Sequence, residues 1–331
     1  MQAIILSEAD LRQCISIDEA VIDAIEDGFT TLSTGSVTMP PIMRLDIPDK
    51  NAEVDIKTAY VPSLDSFAIK MSPGFFDNHK LGLPSTSGLM VLLSAETGFV
   101  KSVLLDNGYL TDVRTGAAGA VAARHLAPEQ VHTAGVIGSG AQARYQIMAL
   151  TRVRDVQRLL VFNRTRSRAE QYADDMQTLL GMSVMIASSA EEVVRNSSVV
   201  VTTTPARDGY LKPGWLHPGL HITAMGSDAE NKQELDSQVF QRADVIVCDR
   251  KSQSIRLGEL HHAVESGILK PEDPRIIELG EITSGQQRGR THPEQITICD
   301  LTGTGMQDTV IAQMAYEKAR QQDFGLVLDL R

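Results

Sequence analysis

Cysteine is scarce: the chain has three in 331 residues. Cys14, Cys248 and Cys299 lie too far apart for a zinc pattern and form no disulfide framework. They support an expectation of reduced thiols in the cytoplasm. No apolar run reaches the roughly 18 residues of a membrane-spanning helix. The opening Met1-Gln2-Ala3-Ile4-Ile5-Leu6-Ser7-Glu8 lacks a basic stretch and meets an acid early, so it does not read as a signal peptide. Positive charge is not in excess: the net charge is −11. That argues against a nucleic acid or an anionic membrane as partner. It leaves room for an anionic cofactor, which local basic residues and backbone N–H groups can hold. There is no nucleophile elbow, P-loop, internal repeat or low-complexity segment. His261-His262 and the scattered histidines lack metal spacing, so no metal is expected.

What is present begins with a glycine corner. The apolar run Val131 to Ile137 meets Gly138-Ser139-Gly140-Ala141-Gln142-Ala143, and a helix-compatible stretch to Thr151 follows at once. Gly138 permits a tight turn, Gly140 lets backbone approach a phosphate, and Ala143 lets helix pack on strand. Phosphate charge would sit on free N–H groups at the positive end of the helix dipole.

Around that corner the chain changes character. The first third reads α+β. Gln2 to Leu6 is a strand, Ser7-x-x-Asp10 opens a short helix, and Ser16-x-x-Glu19 reads as a capping box. The longer helix after it carries Val21, Ile22, Ile25 and Phe29 on one face. Strands are expected over Met43–Ile47, Ala52–Val61, Ser66–Ser72, Gly88–Ser94 and Lys101–Asp106. Leu110 to Leu126 reads as a helix rich in small residues. From Val131 strands and helices alternate, through Leu159–Phe162, Arg166–Leu180, Ser183–Ala187, Val199–Thr203, Leu220–Met225 and Val245–Cys248. Such alternation implies a parallel, doubly wound α/β sheet. Ile296–Cys299 is a further strand, and Gln307–Gln321 a final helix whose packing the pattern leaves open.

Several side chains invite chemistry. The second strand of the alternating region ends Phe162-Asn163-Arg164-Thr165, where an acid would bind the ribose hydroxyl of NAD. No acid is there. Asn163, Arg164 and Thr165, with Arg166 or Arg168, suit a 2′-phosphate, so NADP(H) is expected over NAD(H). Arg164 as a plain surface residue is the alternative. Thr203 and Thr204 end a buried strand at the ligand-binding edge, though threonine is also a good strand former. Asp228 follows Ala224-Met225-Gly226-Ser227 at the same edge and is a candidate base or amine partner, or a turn residue. Lys70 lies in the otherwise apolar Phe67-Ala68-Ile69-Lys70-Met71, where a charge must be paired or face a cavity. With Arg44, Arg114 and, with less weight, Lys57, it can form a carboxylate cradle; each taken alone reads first as a surface ion pair.

These segments together resemble the ornithine cyclodeaminase/μ-crystallin family. The resemblance rests on Phe67 to Lys70, Leu110-Thr111-Asp112-Val113-Arg114-Thr115-Gly116-Ala117-Ala118, Val136 to Ala143, Ala224 to Asp228 with Lys232-Gln233-Glu234-Leu235, and Asp300 to Asp308. Asp55 to Pro62 and Ser72 to Asn78 look like the branch found with ectoine-utilisation genes. The resemblance implies a Rossmann domain, residues 126–302, inserted into an α+β substrate-binding and dimerisation domain, residues 1–125 with 303–331. It implies Arg44, Lys70 and Arg114 on a substrate carboxylate, Asp228 at the amine or imine, and Asp308 supporting the site. It also implies a homodimer, and hydride transfer between nicotinamide and the α-carbon of a small amino or imino acid. The expected dinucleotide contacts are Thr115, Gly138, Ser139, Gly140, Ala141, Gln142, Asn163, Arg164, Thr165, Thr203, Thr204, Met225 and Gly226. Ornithine cyclodeaminases place an acid near the Lys57 position. Lys57, with Asp55 on the same strand face, suits a second carboxylate or a neutral group better than a second ammonium. An imino-acid reductase or amino-acid dehydrogenase is the leading expectation. The alternatives are a cyclodeaminase, in amino-acid or ectoine breakdown, and a non-enzymatic binder of μ-crystallin type.

Overall fold

Two sheets hold the strands, one mixed and one wholly parallel. The computed structural model describes residues 2–330, His79 by its backbone alone. The chain begins with β1 (Gln2–Ser7), α1 (Glu8–Cys14), α2 (Glu19–Thr34), β2 (Met43–Ile47), β3 (Ala52–Ala59), β4 (Ser66–Phe75), β5 (Leu89–Ser94), β6 (Val100–Leu105) and α3 (Tyr109–Leu126). It continues through β7 (Val131–Ile137), α4 (Ala141–Val153), β8 (Val156–Phe162), α5 (Arg166–Leu180), β9 (Ser183–Ile186), α6 (Ala190–Arg195), β10 (Val199–Thr202) and β11 (His221–Ala224). Then come β12 (Val245–Cys248), α7 (Lys251–Leu257), α8 (Glu259–Glu265), β13 (Ile276–Glu278), α9 (Leu279–Thr283) and β14 (Thr297–Asp300), before α10 (Gly305–Gln321) and β15 (Leu326–Asp329). One unit comprises Met1–Arg114 with Thr304–Arg331, the other Thr115–Gly303. The first change of unit falls inside α3.

The first unit is built on a seven-stranded sheet in the order β15-β1-β6-β5-β4-β3-β2. Capping sets its first helices. Ser7 caps α1, with Asp10 returning a bond to the Ser7 N–H at 2.9 Å. The box expected from Ser16 and Glu19 is not used at α2. Asp18 is the cap instead, accepting from Val21 N at 2.9 Å, while Ser16 donates to Asp18. A carboxylate next to the first turn satisfies an orphan amide and favours the helix dipole, so it displaces the hydroxyl. α2 buries Val21, Ile22, Ile25 and Phe29. α10 lies directly on β3 and β4. Thr309 accepts from Ala68 N at 3.1 Å and donates to Ala59 O at 2.9 Å. A side chain at Gly305 would strike the Thr58 backbone, so this approach requires glycine.

The second unit has an eight-stranded parallel sheet in the order β13-β12-β14-β11-β10-β7-β8-β9. Its strands read as continuous Val and Ile runs because both faces are covered. Val200, Ile222, Phe240 and Ile246 pack on one side, and Val136, Ile147, Tyr172 and Val201 on the other. The strand order reverses between β7 and β10. In such sheets the crevice at the carboxyl ends of those strands is where a ligand binds.

Candidate functional site

The crevice in the second unit is a cleft of about 570 Å³, lined by the glycine corner, the end of β8 and the loop after β10. Gly138 turns the chain with φ 112°, its N–H donating to Phe162 O at 2.9 Å. A Cβ there would meet Thr203, so the corner needs glycine for both backbone angle and space. Gly140 is the N-cap of α4 and gives it no side-chain cap; no acid lies in its first turn, which holds Ala141 and Gln142. The space beside Gly140 is open. Uncapped amides, a positive dipole end and open space are what a pyrophosphate requires.

The end of β8 carries the second part. Asn163 donates to Ser139 Oγ at 2.8 Å and accepts from Thr165 N at 2.8 Å, so one side chain ties the corner to the start of α5. α5 likewise has no side-chain cap and no acid in its first turn. Arg164, Thr165 and Arg168 line the cleft. Arg166 pairs with Glu170 at 3.0 Å along its own helix. Arg207 and Asp208 also line the cleft, two residues the sequence did not single out. These features fit a dinucleotide.

At the ends of β10 and β11 the hydrogen bonds run inward. Thr203 donates to Ile137 O at 3.2 Å. Thr204 gives both its N–H and its hydroxyl to Glu234 Oε1, each at 2.6 Å. Gly226 N donates to Glu234 Oε2 at 2.8 Å, so that amide is committed to protein rather than offered to a ligand. Met225 N donates to Thr202 O at 3.0 Å, and its side chain packs on the core beside β7. The Thr115 carbonyl accepts from Gln146 Nε2 at 2.8 Å. Glu234 is fully buried, and burial pushes its carboxyl up despite these bonds. It stands in the Lys232-Gln233-Glu234-Leu235 motif, yet nothing local in that run marks it as a hub. Asp228, on the loop after β11, accepts from Lys232 Nζ at 2.7 Å. His261, His262 and Glu265 bring their donor atoms within 4.8 Å of one another, with His262 Nε2 2.7 Å from Lys232 O.

The first unit gathers buried charge on α10 and the sheet. Lys57 and Lys70 are direct cross-strand partners, 7% and 2% exposed, and Arg114 is 4% exposed. Like charges directly opposite repel, so an arrangement of this kind needs anions. Asp308, fully buried near the N-terminus of α10, supplies one. Lys70 Nζ donates to its Oδ1 at 3.0 Å. Arg114 Nε lies 2.9 Å from the same oxygen, but without hydrogen-bond alignment. Burial, then the Arg114 charge, pulls Lys70 from 10.5 down to about 7 against the opposing pull of Asp308. Burial alone would raise Asp308; Arg114, Lys70 and Lys57 overcome it and hold the carboxyl below its ordinary value. Asp106 is also buried near Lys70, with one oxygen accepting from Leu110 N at 2.9 Å. Sharing of one carboxylate by Lys70 and Arg114, with Lys57 alongside, favours a further anion. Arg44 differs. It sits on the exposed edge strand β2, engaged by Glu53, by Asp46 at 2.9 Å and by Asp55 at 3.9 Å.

A doubly wound parallel sheet whose switch point carries an uncapped glycine corner defines a dinucleotide-binding protein. The chain belongs to the ornithine cyclodeaminase/mu-crystallin family, whose pattern matches residues 1–323. An uncharacterized cyclodeaminase of Sinorhizobium fredii is 49% identical over 326 residues, 98% of each chain. The Thermococcus litoralis Δ1-pyrroline-2-carboxylate reductase, solved with NADH and L-proline, matches with a TM-score of 0.93 at 30% identity, over 98% of this chain and 99% of that one. An archaeal alanine dehydrogenase dimer with bound NAD matches with a TM-score of 0.92 at 33% identity, over 100% of both chains.

Proposed function

We propose that this chain is an NAD(P)H-dependent oxidoreductase that reduces the C=N bond of a small imino acid, or oxidises the matching amino acid. The observation that carries the reading is the buried Lys70–Asp308–Arg114 cluster in a chain that also holds a dinucleotide cleft. The nicotinamide supplies or accepts the hydride. Lys70 and Arg114 hold the substrate carboxylate and so fix the neighbouring α-carbon. Asp308 holds those two cations in place. Asp228, ion-paired with Lys232 at 2.7 Å, takes or gives the proton at nitrogen. Arg44, on β2, is taken up by its ion pairs with Glu53, Asp46 and Asp55. Lys57 favours a substrate whose side chain is small and neutral or carries a second carboxylate.

NADP(H) is the preferred cofactor in this reading. It is supported by Arg164, Thr165 and Arg168 at the cleft and by the absence of an acid at the end of β8. The first unit is assigned substrate binding and dimerisation, and the chain a homodimeric state; the alanine dehydrogenase dimer supports the latter. Three free, buried cysteines support a cytoplasmic setting. A cyclodeaminase is the second reading, favoured by the Sinorhizobium relative; a role in ectoine breakdown belongs with it and rests on residues 55–62 and 72–78. Purified protein is to be tested with NADPH and cyclic imines, or α-keto acids plus amines. Net NADPH oxidation supports the reductase. Ammonia release from a diamino acid without net cofactor change supports the lyase. NADPH binding with no turnover across the panel makes the chain a binder.

A further inference from the structure

Arg144 is a cation on the wrong end of its helix. It lies one turn into α4, near the end where the dipole is positive and a basic side chain is disfavoured. The side chain turns back over the helix start. Its Nη1 donates to Ser139 O at 2.8 Å and to Gly140 O at 3.4 Å. Two residues of α5 keep it there. Nη2 donates to Asp175, which also accepts from Gln171 Nε2 at 2.7 Å. The guanidinium carbon stands 5.1 Å from the centre of the Tyr172 ring. Tyr172 is fully buried and donates to Ala143 O at 3.0 Å, so the ring is itself tied to α4.

Both carbonyls belong to the glycine corner. A trans peptide is planar, and its C=O and N–H point in opposite directions. The helix fixes its own peptides, but the peptide between Ser139 and Gly140 lies outside it, because Gly140 is the N-cap. With Gly140 on one side and Gly138 one residue earlier, that peptide can rotate at little steric cost. Asn163 holds the Ser139 side chain; Arg144 holds the Ser139 carbonyl. With that oxygen turned to Arg144, the Gly140 N–H is turned away from it. Ser139 and Gly140 are among the described residues lining the cleft, and Arg144 is not. We infer that Arg144 is a positioning residue for the pyrophosphate, locking the Ser139–Gly140 peptide so that the Gly140 N–H faces the phosphates, without touching the ligand itself. The inference rests on the dinucleotide reading above.

Three variants separate this role from a merely structural one. Arg144→Met keeps the apolar stem and removes every donor. Arg144→Lys returns an ammonium that can reach one carbonyl but not Asp175 as well. Asp175→Asn, at a side chain 42% exposed, unties the guanidinium with little risk to folding. Each protein is titrated with NADPH or NADH, whichever the wild type binds more tightly. Adenosine, which carries no phosphate, is measured separately as a competitor. In Arg144→Met the dinucleotide affinity should fall about 10-fold while adenosine changes less than about 2-fold. Arg144→Lys should recover part of that loss, and Asp175→Asn should show a smaller loss in the same sense. In turnover all three should raise the dinucleotide KM more than they lower kcat. Equal losses for both ligands, or no change for either, overturn the inference, and Asp175→Asn decides it if Arg144→Met does not fold. Failure of the wild type to bind either dinucleotide is a different result and sinks the dinucleotide reading itself.

Discussion

Lys70 was legible before any coordinates, because a lysine in an apolar strand must find a partner or a cavity. The family resemblance named Asp308 as a support of the site; the direct bond, from more than 200 residues away, came with the fold. Glu234 was not legible: an acid in a polar loop gives no local sign that donors from Thr202, Thr204, Tyr210 and Gly226 will reach it. The chemistry at Lys70 gives a pH test. Its folded value of about 7 lies below its ordinary 10.5, so the ammonium persists below pH 7 and is lost above it. The cost of burying that charge is then full below pH 7 and relieved between 7 and 10.5. If Lys70 binds the substrate carboxylate, kcat/KM for the acid should fall as pH rises through about 7, read from initial rates at saturating cofactor. Lys70→Met should lower kcat/KM by about 100-fold or more at neutral pH while NADPH binding is unchanged. Arg164 and Arg168 carry a separate test. Replacing either with Ala should weaken NADPH about 10-fold and leave NADH unchanged, measured by fluorescence titration.

At the level of elements, the long periodic segments were readable, as were the four-residue strands β9, β10, β11, β12 and β14, while the short helices between β12 and β14 were not. α5 and β7 occupy the residues expected of them, and β4 runs three residues further than its apolar pattern, to Phe75. α7, α8, α9 and β13 are seven residues or fewer, too short to show a period. β15 was missed because a strand at a sheet edge needs only one partner, β1. The glycine corner was legible as a motif, and its physical reason is now explicit. Gly138→Ala should cost about 1–3 kcal/mol in chemical denaturation and abolish NADPH binding, because φ 112° is hostile to any side chain and Thr203 blocks the Cβ. Asp300 offers a second test. Burial is the main cause of a rise in its carboxyl from 3.8 to about 8, and the neighbouring Asp249 adds to it. A raised folded value means stability that is full below 3.8 and lost as pH rises through about 8. Asp300→Asn should therefore flatten the decline of Tm across that range in a thermal-shift series.

For the whole molecule, the order of strand-rich and alternating regions was enough to foresee a parallel doubly wound sheet beside an α+β region. Which strands neighbour one another in the mixed sheet was not, because non-local pairing leaves no trace in a local pattern. The first unit exposes apolar side chains at both sheet edges, Met43 and Leu45 on β2 and Leu326 and Val327 on β15. Exposed apolar groups clustered on edges suit burial against another chain. Light scattering should give a mass near twice 36.0 kDa, and a monomer at micromolar concentration would contradict the proposed dimer. The account as a whole stands on hydride passing to a carbon whose carboxylate is gripped by Lys70 and Arg114. NADPH deuterated at the transferring C4 position, supplied with a cyclic imino acid, tests this by mass spectrometry and NMR of the product. The expected result is one deuterium at the α-carbon, with the label lost from the cofactor at the same rate and both events abolished in Lys70→Met. Product formed without deuterium at that carbon would contradict the account.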